Sequence, residues 1–127
     1  MRFDHVAAIV ILDGCSSVAL KKANTPYIDE LAKSGSASFK CRSVCPTVTY
    51  TAHCSLLTGK LPCDHGIVGN SFFDKRASRV VDLDVDGVSD FSDAKTLFEA
   101  VSGLVVCVGC AVCRGADVVV SKGVVQA

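Results

Sequence analysis

The sequence has no excess of either charge, no block of like charges and no long apolar run, and each absence closes off a class of function. Thirteen Lys/Arg side chains against thirteen Asp/Glu leave a formal net charge of zero. A chain without a basic face lacks the electrostatic footprint for nucleic acid or for an anionic membrane surface, so the expected partner is a small or local ligand. The apolar run Val6 to Leu12 is preceded by Arg2, Asp4 and His5 and stopped by Asp13-Gly14. It is short for a signal-peptide core, lacks a small-residue cleavage site and is far too short to span a bilayer. No membrane segment is expected, and the expected location is cytoplasmic. Internal repeats, low-complexity tracts and linkers are also missing.

What is present points to a buried sheet. Half of the 127 residues are hydrophobic and many are valine, which suits strands covered on both faces. The length allows one domain, or part of one, with a sizeable core. Eight cysteines at scattered spacings accompany no export signal, so buried reduced thiols are expected rather than a disulfide framework.

In chain order, His5 to Leu12 reads as a fully buried strand that delivers Asp13 at its C-terminal end, followed by the permissive Gly14. In open α/β sheets ligands collect at such ends; Asp13 there can ligate a metal or cap the following turn. Thr25-Pro26 starts a helix that Ile28, Leu31 and Ala32 stripe with apolar side chains and Gly35 ends, over residues 26–34. Residues 36–44 alternate Ala37, Phe39 and Cys41 with Ser38, Lys40 and Arg42, the pattern of a second strand. Pro46 disfavours helix for the residue before it, Thr49 reads as an N-cap, and residues 52–57 propagate a helix that Gly59 stops. Thr49 would cap this helix or, because a helix N-terminus offers N–H groups and a positive dipole, meet a phosphate there. Strand, helix, strand, helix is the order of a doubly wound α/β domain. Beyond it, Phe72-Phe73, the polar Asp74-Lys75-Arg76 and Val80-Val81 suggest a hairpin. Residues 93–101 read as a short helix, and residues 104–108 and 117–120 as two strands.

Other groupings carry two readings each. Asp82, Asp84, Asp86, Gly87, Asp90 and Asp93 match most of a calcium-loop pattern, but no amphipathic helix precedes them and Ser89 stands where an apolar residue is usual. The alternatives are a calcium loop at Asp82 to Asp93 and a solvated acidic loop capping the helix at Asp93. Cys107, Cys110 and Cys113 invite an iron–sulfur or zinc site. On a strand, though, Cys110 would face away from the other two, so without a loop they would only pack. His53 lies four residues after Thr49 on the same helix face, and His65 precedes Gly66 in a turn; each is a site candidate or a hydrogen-bonded structural histidine.

Three blocks taken together resemble the alkaline phosphatase superfamily. They are Ile11-Leu12-Asp13-Gly14, the stretch Asn24-Thr25-Pro26-Tyr27 to Gly35, and Pro46-Thr47-Val48-Thr49 through Thr58-Gly59, Pro62, His65 and Gly66-Ile67-Val68-Gly69-Asn70. The nearest branch is the type I phosphodiesterase/nucleotide pyrophosphatase group, which includes phosphonoacetate hydrolase-like enzymes. The resemblance covers residues 6–74 well and residues 75–127 loosely. It implies a doubly wound, mostly parallel α/β sheet of the alkaline phosphatase-like type, with residues 1–127 as the N-terminal portion of a single such domain. It also implies a hydrolase of small-molecule phosphoric esters that uses two divalent metal ions, usually zinc, and a threonine nucleophile.

Carried over by position, Asp13 matches a metal-ligating aspartate, Thr49 the metal-bound nucleophile, and Asn70 the asparagine on a phosphate oxygen. Val48 and Ala52 stand where nucleotide pyrophosphatases often carry Lys and Asn, a departure that weighs against a nucleotide substrate. The family's remaining Asp and His ligands fall in a C-terminal portion that these 127 residues do not match. The chain is therefore expected to be inactive alone, with the rest of its own domain as a partner, or else to be a noncatalytic remnant binding at most one metal or an anion.

Overall fold

A computed structural model of the chain describes residues 6–88, 92, 94–110, 112–121 and 124–126. The chain divides into two compact units, Met1–Arg42 and Ser43–Ala127.

The described part of the first unit holds two helices, α1 (Ser17–Lys22) and α2 (Pro26–Ser34). The bounds of α2 are those that Thr25-Pro26 and Gly35 predict, with the Gly35 N–H donating to Leu31 O at 2.9 Å. Thr25 starts it without a capping bond; its hydroxyl turns instead to Asp29 Oδ1 at 3.4 Å. Helix α1, which the sequence reading passed over, begins because Ser16 Oγ accepts from the Ala19 N–H at 3.1 Å.

The strands expected over residues 5–12 and 36–44 are not formed among the described residues; His5 lies outside them. A strand exists only through a ladder partner, and neither segment has one. Val6 is 83% exposed and Val10 81%, so the run meant for burial on both faces is uncovered. Phe39, on the alternating segment, lies under the Lys21 ammonium at 4.5 Å from its ring centroid. No described residue of this unit is buried.

The second unit contains the core. It runs α3 (Thr49–Thr58), α4 (Pro62–His65), β1 (Ser71–Asp74), β2 (Arg79–Asp82), α5 (Leu83–Asp86), α6 (Leu97–Ala100), β3 (Val106–Val108), β4 (Val118–Ser121) and β5 (Val124–Gln126). Gly59, at φ 66°, ends α3 in the left-handed conformation, as expected of it. The predicted hairpin is β1 paired antiparallel with β2, Phe72 opposite Val81 and Asp74 opposite Arg79. Asp74 Oδ1 holds the turn by accepting from the Arg76 N–H at 2.8 Å. The two late strands also form, as β3 and β4, paired parallel, with β5 antiparallel on β4. The helix expected over residues 93–101 is a single turn, α6, because Thr96 starts it with a complete capping box to Glu99; Asp93 lies outside the described residues.

Helices together with small sheets make the chain α/β. Cys54 and Leu57 of α3, Ile67, Val81, Leu83, Val88 and Val112 form the core, with Tyr50, Phe72, Phe98 and Cys110 packed on it. Two cysteine expectations need correcting: the thiols expected to be buried include Cys15, Cys41, Cys45 and Cys63, which are exposed, and the strand does not carry on through the later cysteines. The strand stops at Val108, Gly109 turns the chain at φ 60°, and the loop that follows returns Cys113 to Cys107, Sγ to Sγ 2.8 Å.

Candidate active site

Helix α3 begins one residue earlier than a Thr49 cap requires. Val48 is the N-cap, extended at φ −125° and ψ 159°, and Thr49 is the first helical residue. Val48 has no side chain to satisfy the helix, and Asn70 does this from 20 residues away: its Oδ1 accepts from the Tyr50 N–H at 3.2 Å. The ladder of α3 starts at Ala52 N–H to Val48 O, 3.0 Å, so the N–H groups of residues 49–51 precede it at the positive end of the dipole.

Asn70 is held by its own backbone, whose carbonyl accepts from the Leu83 N–H at 3.0 Å at the end of the hairpin. Because a backbone N–H needs an oxygen acceptor, the bond to Tyr50 fixes which way the amide points. Its NH2 is then the donor that Asn70 brings to the N-terminus of α3. Thr49 and Asn70, assigned from the resemblance, therefore meet at one helix end, both half-buried.

Tyr50 locks that end. Its hydroxyl donates to Asp84 Oδ1 at 2.7 Å, and burial, then the Asp84 carboxylate, push its pKa up to about 12. Sequence reasoning missed Tyr50, and no local signal marks it, since its partner lies on α5.

Asp13 belongs to the first unit. It sits exposed in the turn after Leu12, its Oδ1 accepting from the Gly14 N–H at 2.9 Å with Gly14 at φ 70°. Thus the turn-capping geometry is present at Asp13, and its role toward a metal rests on the resemblance.

The histidines divide. His65 Nδ1 accepts from the Ile67 N–H at 3.1 Å, so the proton of the neutral ring is on Nε2, 2.8 Å from Ser55 Oγ. That tautomer donates to the serine and cannot act as its base; the pair is structural, and burial holds the His65 pKa below its usual value. His53 is half-buried on α3, and its Nδ1 is enclosed with no hydrogen-bond partner among the described residues. Thr51 Oγ1 is enclosed in the same way.

The acidic stretch spends its carboxylates on separate partners. Asp82 caps α5 through the Asp84 N–H at 3.1 Å, Asp84 takes Tyr50, and Asp86 pairs with Arg79 at 2.9 Å. Asp90 and Asp93 lie outside the described residues. Among the described residues no group of three or more His, Cys, Asp or Glu side chains converges as a metal site. The oxygens of Asp13 and Thr49 suit a divalent cation by type, but two donors do not complete the two-metal centre that the resemblance implies.

Comparison with known proteins decides the lineage. Residues 7–120 match the family model described as type I phosphodiesterase / nucleotide pyrophosphatase. The chain belongs to this family. Among curated members it is 36% identical over 80 residues to Ectonucleotide pyrophosphatase/phosphodiesterase 1 of Saccharomyces cerevisiae, covering 57% of this chain and 11% of that protein. It is 39% identical over 51 residues to human Ectonucleotide pyrophosphatase/phosphodiesterase family member 1, covering 40% of this chain and 6% of the relative. An uncharacterized pyrophosphatase/phosphodiesterase of Schizosaccharomyces pombe is 34% identical over 73 residues, 57% of this chain and 15% of its own length. The chain thus spans a small fraction of the family members it matches. No solved structure matches it significantly. Among the described residues no helix is long and apolar enough to cross a membrane.

Proposed function

We propose that this chain carries the nucleophile of a phosphoric ester hydrolase, and that Thr49 is that nucleophile. The observation that carries the reading is the Asn70 side chain capping the N-terminus of α3 next to Thr49. In this reading the Thr49 hydroxyl attacks phosphorus, the bond from phosphorus to the leaving alkoxide breaks, and water then hydrolyses the phosphothreonine. Charge building on the phosphoryl oxygens would meet the positive end of the α3 dipole and the Asn70 NH2, which the bond from the Tyr50 N–H to Asn70 Oδ1 orients before reaction. The substrate class is a small phosphate mono- or diester. Two divalent ions, zinc by resemblance, would supply a lowered hydroxyl pKa. Asp13 and Thr49 are the donors the resemblance assigns to this chain, the family's remaining ligands falling in a C-terminal portion that these 127 residues do not match. The doubly wound, mostly parallel sheet of the alkaline phosphatase-like type belongs to the same proposal, as does a cytoplasmic location.

Because this chain is expected to be inactive alone, the test is hydrolysis of p-nitrophenyl phosphate mono- and diesters by a zinc-replete full-length protein that joins these residues to the rest of the family domain, and by its Thr49→Ala variant. The nucleophile reading expects turnover that the variant loses by at least about a hundredfold. Retained turnover in Thr49→Ala would reject it.

A second reading, a noncatalytic remnant binding at most one metal or an anion, is favoured by the absence of a three-donor cluster among the described residues. Zinc content separates the two: near-zero bound zinc together with no turnover supports the remnant.

A further inference from the structure

Cys107 and Cys113 meet in a way that the hydrolase reading does not use. Cys107 is buried in the middle of β3, 3% exposed, and Cys113 is half-buried on the loop that leads to β4. Their sulfurs lie 2.8 Å apart, while Cys113 Sγ also reaches the Cys110 carbonyl at 3.2 Å. The approach is set by backbone at both ends of the loop. Gly109, at φ 60°, turns the chain after β3 and donates its N–H to Val120 O at 2.8 Å. At the other end Asp117 N–H donates to Val105 O at 2.9 Å, and Asp117 Oδ2 accepts from the Val105 N–H at 2.8 Å. Inside the loop, Ala116 N–H donates to Cys113 O at 3.1 Å. Val112, beside Cys113, is anchored in the core. None of the eight cysteines is in a disulfide.

We propose that Cys107 and Cys113 form a covalent modification site, a dithiol that a peroxide converts into an intramolecular disulfide across the loop between β3 and β4. Covalent S–S geometry needs the sulfurs to close to about 2.05 Å, a movement of less than about 1 Å from their present separation. The more accessible Cys113 loses its proton to solvent, and its thiolate attacks one peroxide oxygen. The O–O bond breaks, hydroxide leaves as water, and a sulfenic acid remains on Cys113. The Cys107 sulfur then attacks the sulfenic sulfur; the S–S bond forms, the S–O bond breaks, and the hydroxyl departs with the Cys107 proton as a second water. Two thiols are oxidised by one peroxide, which is reduced to two waters. Burial raises both thiols, Cys107 to about 11, so the reaction is slow at neutral pH and accelerates as pH rises.

The test uses the full chain, reduced, freed of reductant, treated at low protein concentration with stoichiometric hydrogen peroxide, then alkylated and peptide-mapped without reduction. Cys15, Cys41, Cys45 and Cys63 are exposed and serve as internal competitors. The expected result is a Cys107–Cys113 cross-link as the main intramolecular disulfide, reversed by dithiothreitol, formed about tenfold faster per pH unit between neutrality and pH 9. Cys110→Ser should retain the cross-link, and Cys113→Ser should lose it while leaving Cys107 alkylatable only on unfolding. Because the unsubstituted chain carries the main readout, a variant that misfolds leaves the test intact. Cross-links to Cys110 in comparable yield, or Cys107 and Cys113 both alkylated after peroxide in protein with native circular dichroism, would overturn the proposal.

Discussion

Asn70 joins two roles that one substitution can separate. Its Oδ1 caps the Tyr50 N–H, and its NH2 is the proposed phosphate donor. Asn70→Asp keeps the acceptor and adds a negative charge at a helix N-terminus, so thermal stability should be unchanged or higher. The same change removes the donor and sets a charge against the substrate phosphate, so turnover should fall by about a hundredfold or more. Equal losses of melting temperature and activity would mean that Asn70 only caps. Thr51 offers an unusual sign. Its hydroxyl is enclosed without a partner among the described residues, and Thr51→Val should stabilise by about 1 kcal/mol in a denaturant titration. Tyr50 is held neutral well past its ordinary range, with a pKa of about 12 against 10.0. Since the folded value is raised, its contribution is complete below pH 10 and is lost as pH climbs toward 12, which an alkaline unfolding series would show as falling stability in that window.

At the level of elements, the most legible ones carry their boundary chemistry locally. Pro26 and Gly35 bound α2, Gly59 ends α3, and the Asp74 turn sets the β1–β2 hairpin. What could not be read depends on residues distant in the chain. The cap of α3 comes from Asn70, so a local search settles on Thr49 when Val48 holds the position. The Val6–Leu12 run has strand composition but no ladder partner among the described residues, and composition alone cannot supply one. Cys113 reaches Cys107 through a loop that begins with the turn at Gly109, the condition that a strand-period argument can name but cannot place. Gly115 shows what this loop demands: at φ 90°, an added Cβ would overlap the Glu99 side chain and stand 2.8 Å from its backbone nitrogen. Gly115→Ala should cost about 1–3 kcal/mol and break the contact of the loop with α6, read as a lower denaturant midpoint. His65, packed between Ser55 and Ile67, has its pKa lowered by burial. Its contribution is therefore complete above pH 6.5 and lost as pH falls through the folded value; acid titration of a His65→Gln variant should lack that component.

On the scale of the whole molecule, the parts divide into what is assembled and what is offered. The second unit has a closed core that fixes Thr49, Tyr50 and Asn70 at one helix end. The first unit carries Asp13 and an uncovered apolar run, Ile9 through Leu12 each more than a third exposed. Family membership rests on residues 7–120, and the chain covers 15% or less of the curated relatives, so the chemistry proposed here belongs to the protein these residues serve. Its central claim is covalent. The most direct measurement is rapid quenching of the zinc-replete full-length protein carrying these residues during turnover of a p-nitrophenyl phosphate ester, followed by peptide mass spectrometry. The account predicts a phosphoryl group on Thr49 that forms and decays at the rate of turnover; turnover with that threonine unmodified, or with the adduct on another residue, would contradict it.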